Sequence, residues 1–305
     1  MRIVTLLVPL LVLLLAASST ATAGKPMGEV GLDDVRSAHE RVQRYVHRTP
    51  VVTSQYLDEL SGRQLFFKAE NLQKTGSFKA RGACNCVLSI LEQDPGVTGI
   101  VTHSSGNHGQ ATAYAARLAG LPCAVVVPRD TASVKIDAIR SYGAEVLLCD
   151  PTPVARREAC ARVVEQMNYA VAESSNSYST IAGQGTIALE MLQQVPDMDA
   201  ILVAVSGGGM IAGIATVVTE LRPECKVLAV EPDGKQLEPC LRAGRPLWPD
   251  PPRMLRTLAD GCRLQQCSPR AFAVIRRLVA PPVISVTDRQ IAGATQLFWQ
   301  RTKLI

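Results

Sequence analysis

Short apolar runs alternate with stretches of helical periodicity along most of the chain. The runs are rich in Val, Ile and Leu, and they predict strands at 99–102, 123–128, 145–149, 200–205 and 226–230. The stretches between them predict helices at 109–119, 132–142, 155–167, 184–194 and 210–221. Continuous apolar strands separated by helices are typical of parallel sheets buried on both faces. The pattern predicts an α/β fold with mostly parallel sheets, and proline patches at 246–252 and 281–282 predict surface loops.

The first 23 residues have the layout of a secretory signal peptide. Met1 and Arg2 precede an apolar run over 3–17, and Ala21-Thr22-Ala23 offers a small-x-small cleavage site. The apolar run is shorter than the roughly 20 residues that span a bilayer. We expect cleavage after Ala23 and routing to the secretory pathway, with a retained N-terminal anchor over 1–23 as the alternative.

Composition narrows the functional classes. The net charge of +5 includes no basic run, so nothing indicates a nucleic-acid partner. Nine cysteines and four histidines are scattered along the chain, which indicates neither a disulfide scaffold nor a zinc site. With 47% hydrophobic residues among 305, the chain can bury the core of one large domain or two smaller ones.

A glycine cluster, Ser206-Gly207-Gly208-Gly209-Met210, lies between a predicted strand and a predicted helix. Glycines allow the backbone to approach an anion closely, and the free N–H groups of a helix N-terminus attract phosphate. The cluster has neither the Gly-Lys-Ser/Thr of a nucleoside triphosphate loop nor the spacing of a dinucleotide motif. It predicts a phosphate site of another kind.

A polar loop follows the first of these strands and reads His103-Ser104-Ser105-Gly106-Asn107-His108-Gly109. The ends of parallel strands are where α/β proteins bind ligands. Hydroxyl, amide and imidazole groups at this place could hold a substrate carboxylate and a proton-transfer group. Capping of the next helix would account for only one or two of these residues.

Lys79 lies where a Gly/Ser/Phe turn opens into a helix-compatible run. A lysine amine becomes nucleophilic when it is desolvated or held beside other cations, which Lys74 and Arg81 could supply. A reactive lysine, a phosphate loop and a polar loop at a strand end together fit a cofactor that carries an aldehyde and a phosphate. They predict pyridoxal phosphate, held by Lys79 as an imine.

Five segments of the chain carry a resemblance to a known family. They are Lys74-Thr-Gly-Ser-Phe-Lys79-Ala-Arg-Gly, Ser104-Ser-Gly-Asn-His108-Gly-Gln, Gly183-Gln-Gly-Thr-Ile-Ala188-Leu-Glu, Ser206-Gly-Gly-Gly-Met210 and Thr257-Leu-Ala-Asp260-Gly261. They resemble segments of serine racemase and the serine/threonine dehydratases, which are fold-type II pyridoxal-phosphate enzymes. The resemblance implies a tryptophan-synthase-β-like fold, with a large cofactor domain over 24–98 and 176–305 and a small domain over 99–175.

The resemblance also implies a role for each matching residue. Lys79 would form the Schiff base with pyridoxal phosphate, Phe78 would pack on its ring, and Asn107 would hydrogen-bond the ring hydroxyl. The phosphate would lie on the loop of Ser206, Gly207, Gly208, Gly209 and Met210. The substrate would contact Ser104, Ser105, Asn107, His108 and Asp260.

Ser105 is the position that separates two reactions in this family. In its racemases a serine faces the substrate opposite the lysine, whereas many of its dehydratases have alanine there. Ser105 therefore favours a racemase that interconverts L- and D-serine and also eliminates serine to pyruvate and ammonia. Lys79 and Ser105 would exchange the Cα proton on opposite faces. A serine/threonine dehydratase without racemisation is the alternative.

The sequence departs from the family pattern in two places. The family continues past the position of Ile305 into a Glu-Pro segment, a strand and a Ser-Gly-Gly-Asn turn, so a truncated and inactive relative is a third hypothesis. The resemblance implies Mg²⁺ and ATP as activators. Glu231 matches the family's metal carboxylate, whereas Leu237 stands where a second acidic residue is expected.

The resemblance extends to partners and location. It implies a small amino-acid substrate and a homodimer, or a heterodimer with a full-length subunit. It also implies a cytoplasmic location, which is the alternative to secretion.

Overall fold

The chain folds around two β-sheets in the computed structural model, which describes residues 2–6, 29–251 and 253–304. In chain order the strands are β1 (Arg2–Leu6), β2 (Val51–Val52), β3 (Gln64–Lys68), β4 (Gly99–His103), β5 (Cys123–Pro128), β6 (Glu145–Cys149), β7 (Tyr169–Val171), β8 (Ala200–Ala204), β9 (Lys226–Pro232) and β10 (Ala280–Val286). The α-helices are α1 (Leu32–Val42), α2 (Gln55–Ser61), α3 (Lys79–Gln93), α4 (Asn107–Leu118), α5 (Ser133–Ser141), α6 (Pro153–Met167), α7 (Tyr178–Gln194), α8 (Gly209–Leu221), α9 (Leu237–Ala243), α10 (Pro269–Leu278) and α11 (Asp288–Thr302). Short 3₁₀ turns occur at Glu70–Leu72, Lys74–Gly76 and Asp260–Cys262.

The larger sheet has the strand order β10-β9-β8-β1-β3-β2. Its neighbouring strands run parallel, except that β2 pairs antiparallel with β3. Alternate residues of β8 enter different cores: Ile201 and Val203 pack with α7 and α8, whereas Leu202 packs with Ile291 of α11. Both faces of this strand are therefore covered, which explains why its sequence is a continuous apolar run.

Strand β1 lies inside the larger sheet, between β3 and β8. Val4 pairs with Phe66 on one side and with Ile201 on the other, and it is fully buried. The predicted signal peptide includes this strand, and residues 7–23 of that peptide lie outside the described part of the chain. Cleavage after Ala23 would remove β1 from the sheet. Across the described residues, no helix is long and apolar enough to cross a membrane.

The smaller sheet has the strand order β6-β5-β4-β7, and its strands are parallel. Alternate residues of β5 again enter two cores, because Val125 and Val127 pack on one face and Ala124 and Val126 on the other. Its strands all lie within 99–175, the range expected for the small domain. The division of the chain into domains stays a prediction.

The predicted α/β class with mostly parallel sheets is confirmed. The five predicted strands form with ends no more than two residues from those expected, and α7 begins six residues earlier than expected. The loop predicted at 281–282 is wrong, because Pro281 and Pro282 lie in β10. A proline has no N–H to donate, but β10 is an edge strand whose outer side needs no donor.

Candidate active site

Lys79 is the first residue of α3, and its side chain is half-buried. Its Nζ donates a hydrogen bond to the carbonyl oxygen of Ser174 at 2.9 Å and lies 5.3 Å from the centre of the Phe78 ring. Burial lowers the pKa of the amine to about 8. The expectation that Lys74 and Arg81 would activate this amine is wrong, because burial is the cause and neither cation contributes. Desolvation therefore favours the neutral form of this amine, which a nucleophilic lysine needs.

Arg81 instead belongs to a buried ionic network beneath α3. Its guanidinium donates to Glu70 at 2.8 Å and to Glu190 at 2.6 Å, and Lys68 donates to the other oxygen of Glu190 at 2.5 Å. Each of the four side chains is at most 7% exposed. Burial opposes the charge of Arg81, but the carboxylates of Glu70 and Glu190 outweigh it and raise the pKa of Arg81 above its ordinary value. The guanidinium therefore stays charged. The network fixes the first turn of α3, and therefore Lys79, to α7 and to the 3₁₀ turn of Glu70.

The glycine cluster forms a tight loop between β8 and α8. Gly208 has a φ of +87°, a left-handed conformation that favours glycine, and a Cβ there would lie 2.8 Å from Ile275 Cδ1. A Cβ on Gly207 would lie 2.5 Å from the hydroxyl of Ser175. Within the described part of the chain, the backbone N–H groups of Gly207, Gly208 and Gly209 donate to no protein acceptor. They are available to an anion at the N-terminus of α8.

A short serine segment joins the glycine loop to Lys79. Ser174 accepts the hydrogen bond from the Lys79 amine, and Ser175, the next residue, packs against Gly207. Ser268 donates from its hydroxyl to the Ser175 carbonyl at 2.8 Å and from its N–H to the Gly207 carbonyl at 3.0 Å. The Lys79 amine and the glycine loop are thus neighbours in one site, as the sequence predicts.

The polar loop lies at the carboxyl end of β4 and leads into α4. The N-cap of α4 is Gly106, which has no side chain to cap the helix. The Ser104 hydroxyl accepts from the Gly106 N–H at 3.3 Å. The side chains of Ser105 and Asn107 make no hydrogen bond to any described residue. Helix capping therefore does not account for them, and both are available to a ligand.

His108 is buried and held by the segment that follows β7. Its Nε2 lies 3.0 Å from the Ala172 carbonyl, so Nε2 carries the proton and donates, and Nδ1 has no partner among the described residues. Burial and the neighbouring Lys79 amine lower the pKa of His108 to about 3. The imidazole is therefore neutral at physiological pH and has one acceptor nitrogen free.

Asp260 links the 3₁₀ turn of Asp260–Cys262 to α5 at the surface. Its carboxylate accepts from Lys135 of α5 at 2.8 Å and lies 3.6 Å from Arg263. The bond from Lys135 holds the pKa of Asp260 below its usual range. The structure thus places Asp260 in a bridge to the smaller sheet's helices, and its predicted contact with substrate stays a prediction.

Glu231 is buried at the end of β9. Its Oε2 accepts from the Leu237 N–H at 2.8 Å, and burial raises the pKa of the carboxyl. Across the described residues, no group of three or more His, Cys, Asp or Glu could hold a metal ion. The residues around Glu231 do not fit the Mg²⁺ that the resemblance implies.

The site does fit pyridoxal phosphate on two observations. The loop from Gly207 to Gly209 offers N–H groups with no acceptor among the described residues, and it packs too closely against Ser175 and Ile275 to carry a Cβ. The Lys79 amine has a lowered pKa, as an amine that must react with an aldehyde needs. Of the flanking residues, Met210 packs into the main core, and the Ser206 carbonyl is bonded to Lys235.

Comparison with known proteins agrees with this fit. The model of the family described as pyridoxal-phosphate dependent enzyme matches residues 42–305. The chain belongs to this family. Serine racemase from Dictyostelium discoideum is 42% identical over 281 residues, which cover 92% of this chain and 86% of that protein. Serine racemase from Homo sapiens is 44% identical over 285 residues, which cover 90% and 81%.

Solved structures of the family share the fold. A pyridoxal 5'-phosphate-dependent aspartate racemase superposes with a TM-score of 0.89 at 48% identity, covering 92% of this chain and 87% of that one. Maize serine racemase has a TM-score of 0.85 at 37% identity, covering 90% and 82%. A T.th. threonine deaminase has a TM-score of 0.84 at 40% identity, covering 90% and 87%. The chain therefore has the fold-type II architecture expected from its sequence.

Sequence reasoning missed three residues that build the site. Ser174 and Ser175 lie in a polar run, Glu-Ser-Ser-Asn-Ser, that follows β7 as the loop of Ser104 follows β4. A polar run after a strand is the signal that could have indicated them. Lys235 gave no signal, because one lysine in a Gly-Lys turn is usually exposed.

Proposed function

We propose that the chain is a pyridoxal-phosphate-dependent serine racemase that also eliminates serine to pyruvate and ammonia. The observation that carries the proposal is a half-buried Lys79 amine with one acceptor, in the same site as a glycine loop whose N–H groups have no partner among the described residues. The relatives named serine racemase support the substrate, and the chain covers more than four-fifths of both. The free hydroxyl of Ser105 supports racemisation.

The proposed roles follow from what each group can donate or accept. Gly207, Gly208 and Gly209 would bind the cofactor phosphate through their N–H groups, with Ser206 and Met210 flanking them. Phe78 would pack on the cofactor ring, and Asn107 would bind its hydroxyl. When bound, pyridoxal phosphate supplies an electron sink that acidifies the substrate's Cα–H.

Lys79 and Ser105 would move the proton in the reaction. The Lys79 Nζ would hold the Cα proton on one face, where a lowered pKa lets the amine accept and return it near neutral pH. The Ser105 Oγ would hold it on the other face. Ser104, Asn107 and the neutral His108 would orient the substrate carboxylate.

The experiment that tests this division compares two variants in one assay. Purified Ser105→Ala and Ser104→Ala chains are loaded with pyridoxal phosphate and given L-serine, and D-serine and pyruvate are measured together. Ser105→Ala should lower D-serine formation by about 10²–10⁴-fold, the usual contribution of a proton-transfer group, and should affect pyruvate much less. Ser104→Ala should lower both products in proportion. Equal losses in Ser105→Ala would contradict the two-face proposal.

A serine/threonine dehydratase without racemisation is the second candidate. Threonine deaminase and β-hydroxyaspartate dehydratase are among the similar proteins, the latter at 38% identity. Pyruvate without D-serine in the wild-type assay would favour it. Including L-aspartate in the assay tests the substrate named for the aspartate racemase.

A truncated, inactive relative is the third candidate. The assay separates it from the others, since it predicts neither product from a folded chain with bound cofactor. We further propose a homodimer, or a heterodimer with a full-length subunit, which size-exclusion chromatography with light scattering would measure. Activation by ATP is tested by adding the nucleotide to the same assay.

Secretory routing is the proposed localisation, with the cytoplasm as the alternative. The pairing of β1 in the larger sheet makes these two outcomes structurally different, because a chain cleaved after Ala23 would lack Val4. Mass spectrometry of the N-terminus of the expressed protein distinguishes them. A start at Gly24 supports secretion, whereas a start at or before Arg2 contradicts cleavage.

A further inference from the structure

Lys235 is a fully buried lysine whose amine contacts no carboxylate among the described residues. It lies in the turn between β9 and α9, and its side chain is 0% exposed. Within the described residues it makes no ion pair, although burying an unpaired ammonium is costly. Such a group persists only if other dipoles replace its hydration.

Three backbone carbonyl oxygens provide that replacement. The Lys235 Nζ lies 2.8 Å from the oxygen of Ser206, 2.9 Å from that of Leu264 and 2.9 Å from that of Gln265. A protonated amine has three N–H donors, and all three are used here. A neutral amine would have two donors and a lone pair facing the third oxygen. The geometry therefore requires the ammonium form.

The surrounding side chains close the cage. The ring of Trp248 lies with its centre 5.8 Å from the Lys235 Nζ, and its Nε1 donates to the Lys235 carbonyl at 2.7 Å. The amide of Gln265 donates to the Gly234 carbonyl at 3.2 Å. The lysine stem is thus fixed at both ends, and its amine cannot leave the three oxygens without disturbing the turn.

The cage lies directly behind the glycine loop. One of its oxygens belongs to Ser206, the first residue of that loop, and the other two belong to the segment that precedes Ser268. Converging carbonyl dipoles repel one another unless a cation lies between them. The Gly207 N–H belongs to the same planar peptide unit as the Ser206 carbonyl and points away from it, so holding that carbonyl on this side directs the Gly207 N–H to the other side.

The same region fails as a metal site. Glu231 uses an oxygen to accept the Leu237 N–H, and Leu237 offers no side-chain ligand. Carbonyl oxygens are ligands that hard metal cations prefer, so a cage of three would otherwise attract one. Here the amine of Lys235 already occupies their common centre.

We propose that the Lys235 ammonium is a built-in cation that takes the place of a bound metal ion and positions the phosphate loop. The proposal goes beyond the proposed reaction, since it concerns cofactor binding and holds for a racemase or a dehydratase alike. Lys235 is a positioning residue, because it acts on the cofactor only through Ser206.

Binding of pyridoxal phosphate to the cofactor-free full chain tests the proposal without any turnover. Lys235→Met keeps the length of the side chain and removes the charge, and Lys303→Met is the control because Lys303 is exposed at the end of α11. We expect Lys235→Met to weaken cofactor affinity by about 10–100-fold, as for other residues that orient a ligand's direct contacts. Lys303→Met should leave it unchanged. Unchanged affinity in Lys235→Met would overturn the proposal.

Ion rescue separates a cationic role from simple packing. In Lys235→Ala, ammonium or potassium chloride should restore much of the lost cofactor affinity, because either ion fits between carbonyl oxygens. Tetramethylammonium chloride at the same ionic strength should not, since it is too large and donates no hydrogen bond. Equal effects of all three salts would contradict a cation site.

The wild-type chain decides the question if both Lys235 variants fail to fold. After treatment with a chelator, its cofactor affinity and thermal midpoint should stay the same and should not respond to Mg²⁺ or Ca²⁺. A gain from either metal that is lost in Glu231→Gln would show that a metal ion acts here, and it would overturn the proposal.

Discussion

Two lysines near the glycine loop, the half-buried Lys79 and the fully buried Lys235, have different surroundings. Lys79 has one fixed acceptor, the Ser174 carbonyl, whereas Lys235 has three. Burial lowers the pKa of both amines, yet only Lys79 can lose a proton without leaving several buried oxygens unpaired. The number of fixed acceptors, as well as burial, distinguishes the lysine that we propose to react from the one that we propose to be structural.

Lys68 extends the comparison to a third kind of site. Its amine contacts the Glu190 carboxylate and also donates to the Thr49 carbonyl at 2.8 Å. Burial lowers the pKa of this amine, and Glu190 opposes that shift. The three lysines therefore divide into one proposed to hold the cofactor, one proposed to replace a metal cation and one that belongs to an ionic network.

Removing Lys79 should have the largest effect on activity. Lys79→Ala should lower both D-serine and pyruvate formation by at least about 10²–10⁴-fold, because the proton-transfer group and the covalent attachment are lost together. Both products are measured by chromatography. Lys74→Ala, which changes a partly exposed neighbour, should retain activity. Comparable losses of activity in Lys79→Ala and Lys74→Ala would contradict a specific role of Lys79 in the reaction.

Breaking the ionic network should have the next largest effect, on stability. Glu190→Ala leaves Lys68 and Arg81 buried without their shared carboxylate, so we expect a loss of about 3–5 kcal/mol in the free energy of unfolding. Glu224→Ala breaks an exposed pair with Arg222 and should cost only about 0–1 kcal/mol. Urea denaturation of both chains measures the difference. A cost for Glu190→Ala as small as that of the control would contradict a structural network.

The pH dependence of cofactor capture should give a smaller but specific signal. Because the pKa of the Lys79 amine is lowered to about 8, its neutral, nucleophilic form increases as the pH rises through that value. The rate at which the cofactor-free chain binds pyridoxal phosphate should rise over the same range. Stopped-flow absorbance measures it. A rise that begins only near the ordinary lysine pKa of about 10.4 would show that burial does not tune this amine.

The smallest effect is expected at the surface bridge of Asp260. Lys135 and Asp260 are both partly solvated, so Lys135→Ala should change the free energy of unfolding by about 0–1 kcal/mol. Thermal denaturation at low and high salt is the appropriate measurement, because salt should reduce the difference between variant and wild type. A larger effect that salt does not change would assign the bridge a structural role.

Most of the site could be predicted from local sequence, because each loop follows a strand and carries unusual polar or glycine residues. The strands around these loops were found from apolar runs for the same reason. Strand β1 could not be predicted in this way, because an apolar run after Met1 has the same composition in a leader and in a buried strand. The pairing of β1 with β3 and β8 depends on residues more than 50 positions away, which the local sequence does not indicate.

The partners of buried charges were also beyond local sequence. Arg81 and Glu190 are 109 residues apart, and Lys235 and Ser206 are 29 apart. Nothing in the spacing of such residues indicates that they meet, since the contact depends on how helices and turns pack. The expectation that Arg81 would activate Lys79 is wrong for this reason. The two residues are close in sequence, but the charge of Arg81 is paired with Glu70 and Glu190.

The most direct test of the account is to find which lysine holds the cofactor. The chain is loaded with pyridoxal phosphate, reduced with borohydride to fix the cofactor to its lysine, and mapped by peptide mass spectrometry. The account predicts the label on Lys79, with Lys68 and Lys235 unmodified. A label on Lys235, or no label in a folded chain that retains the cofactor, would contradict it.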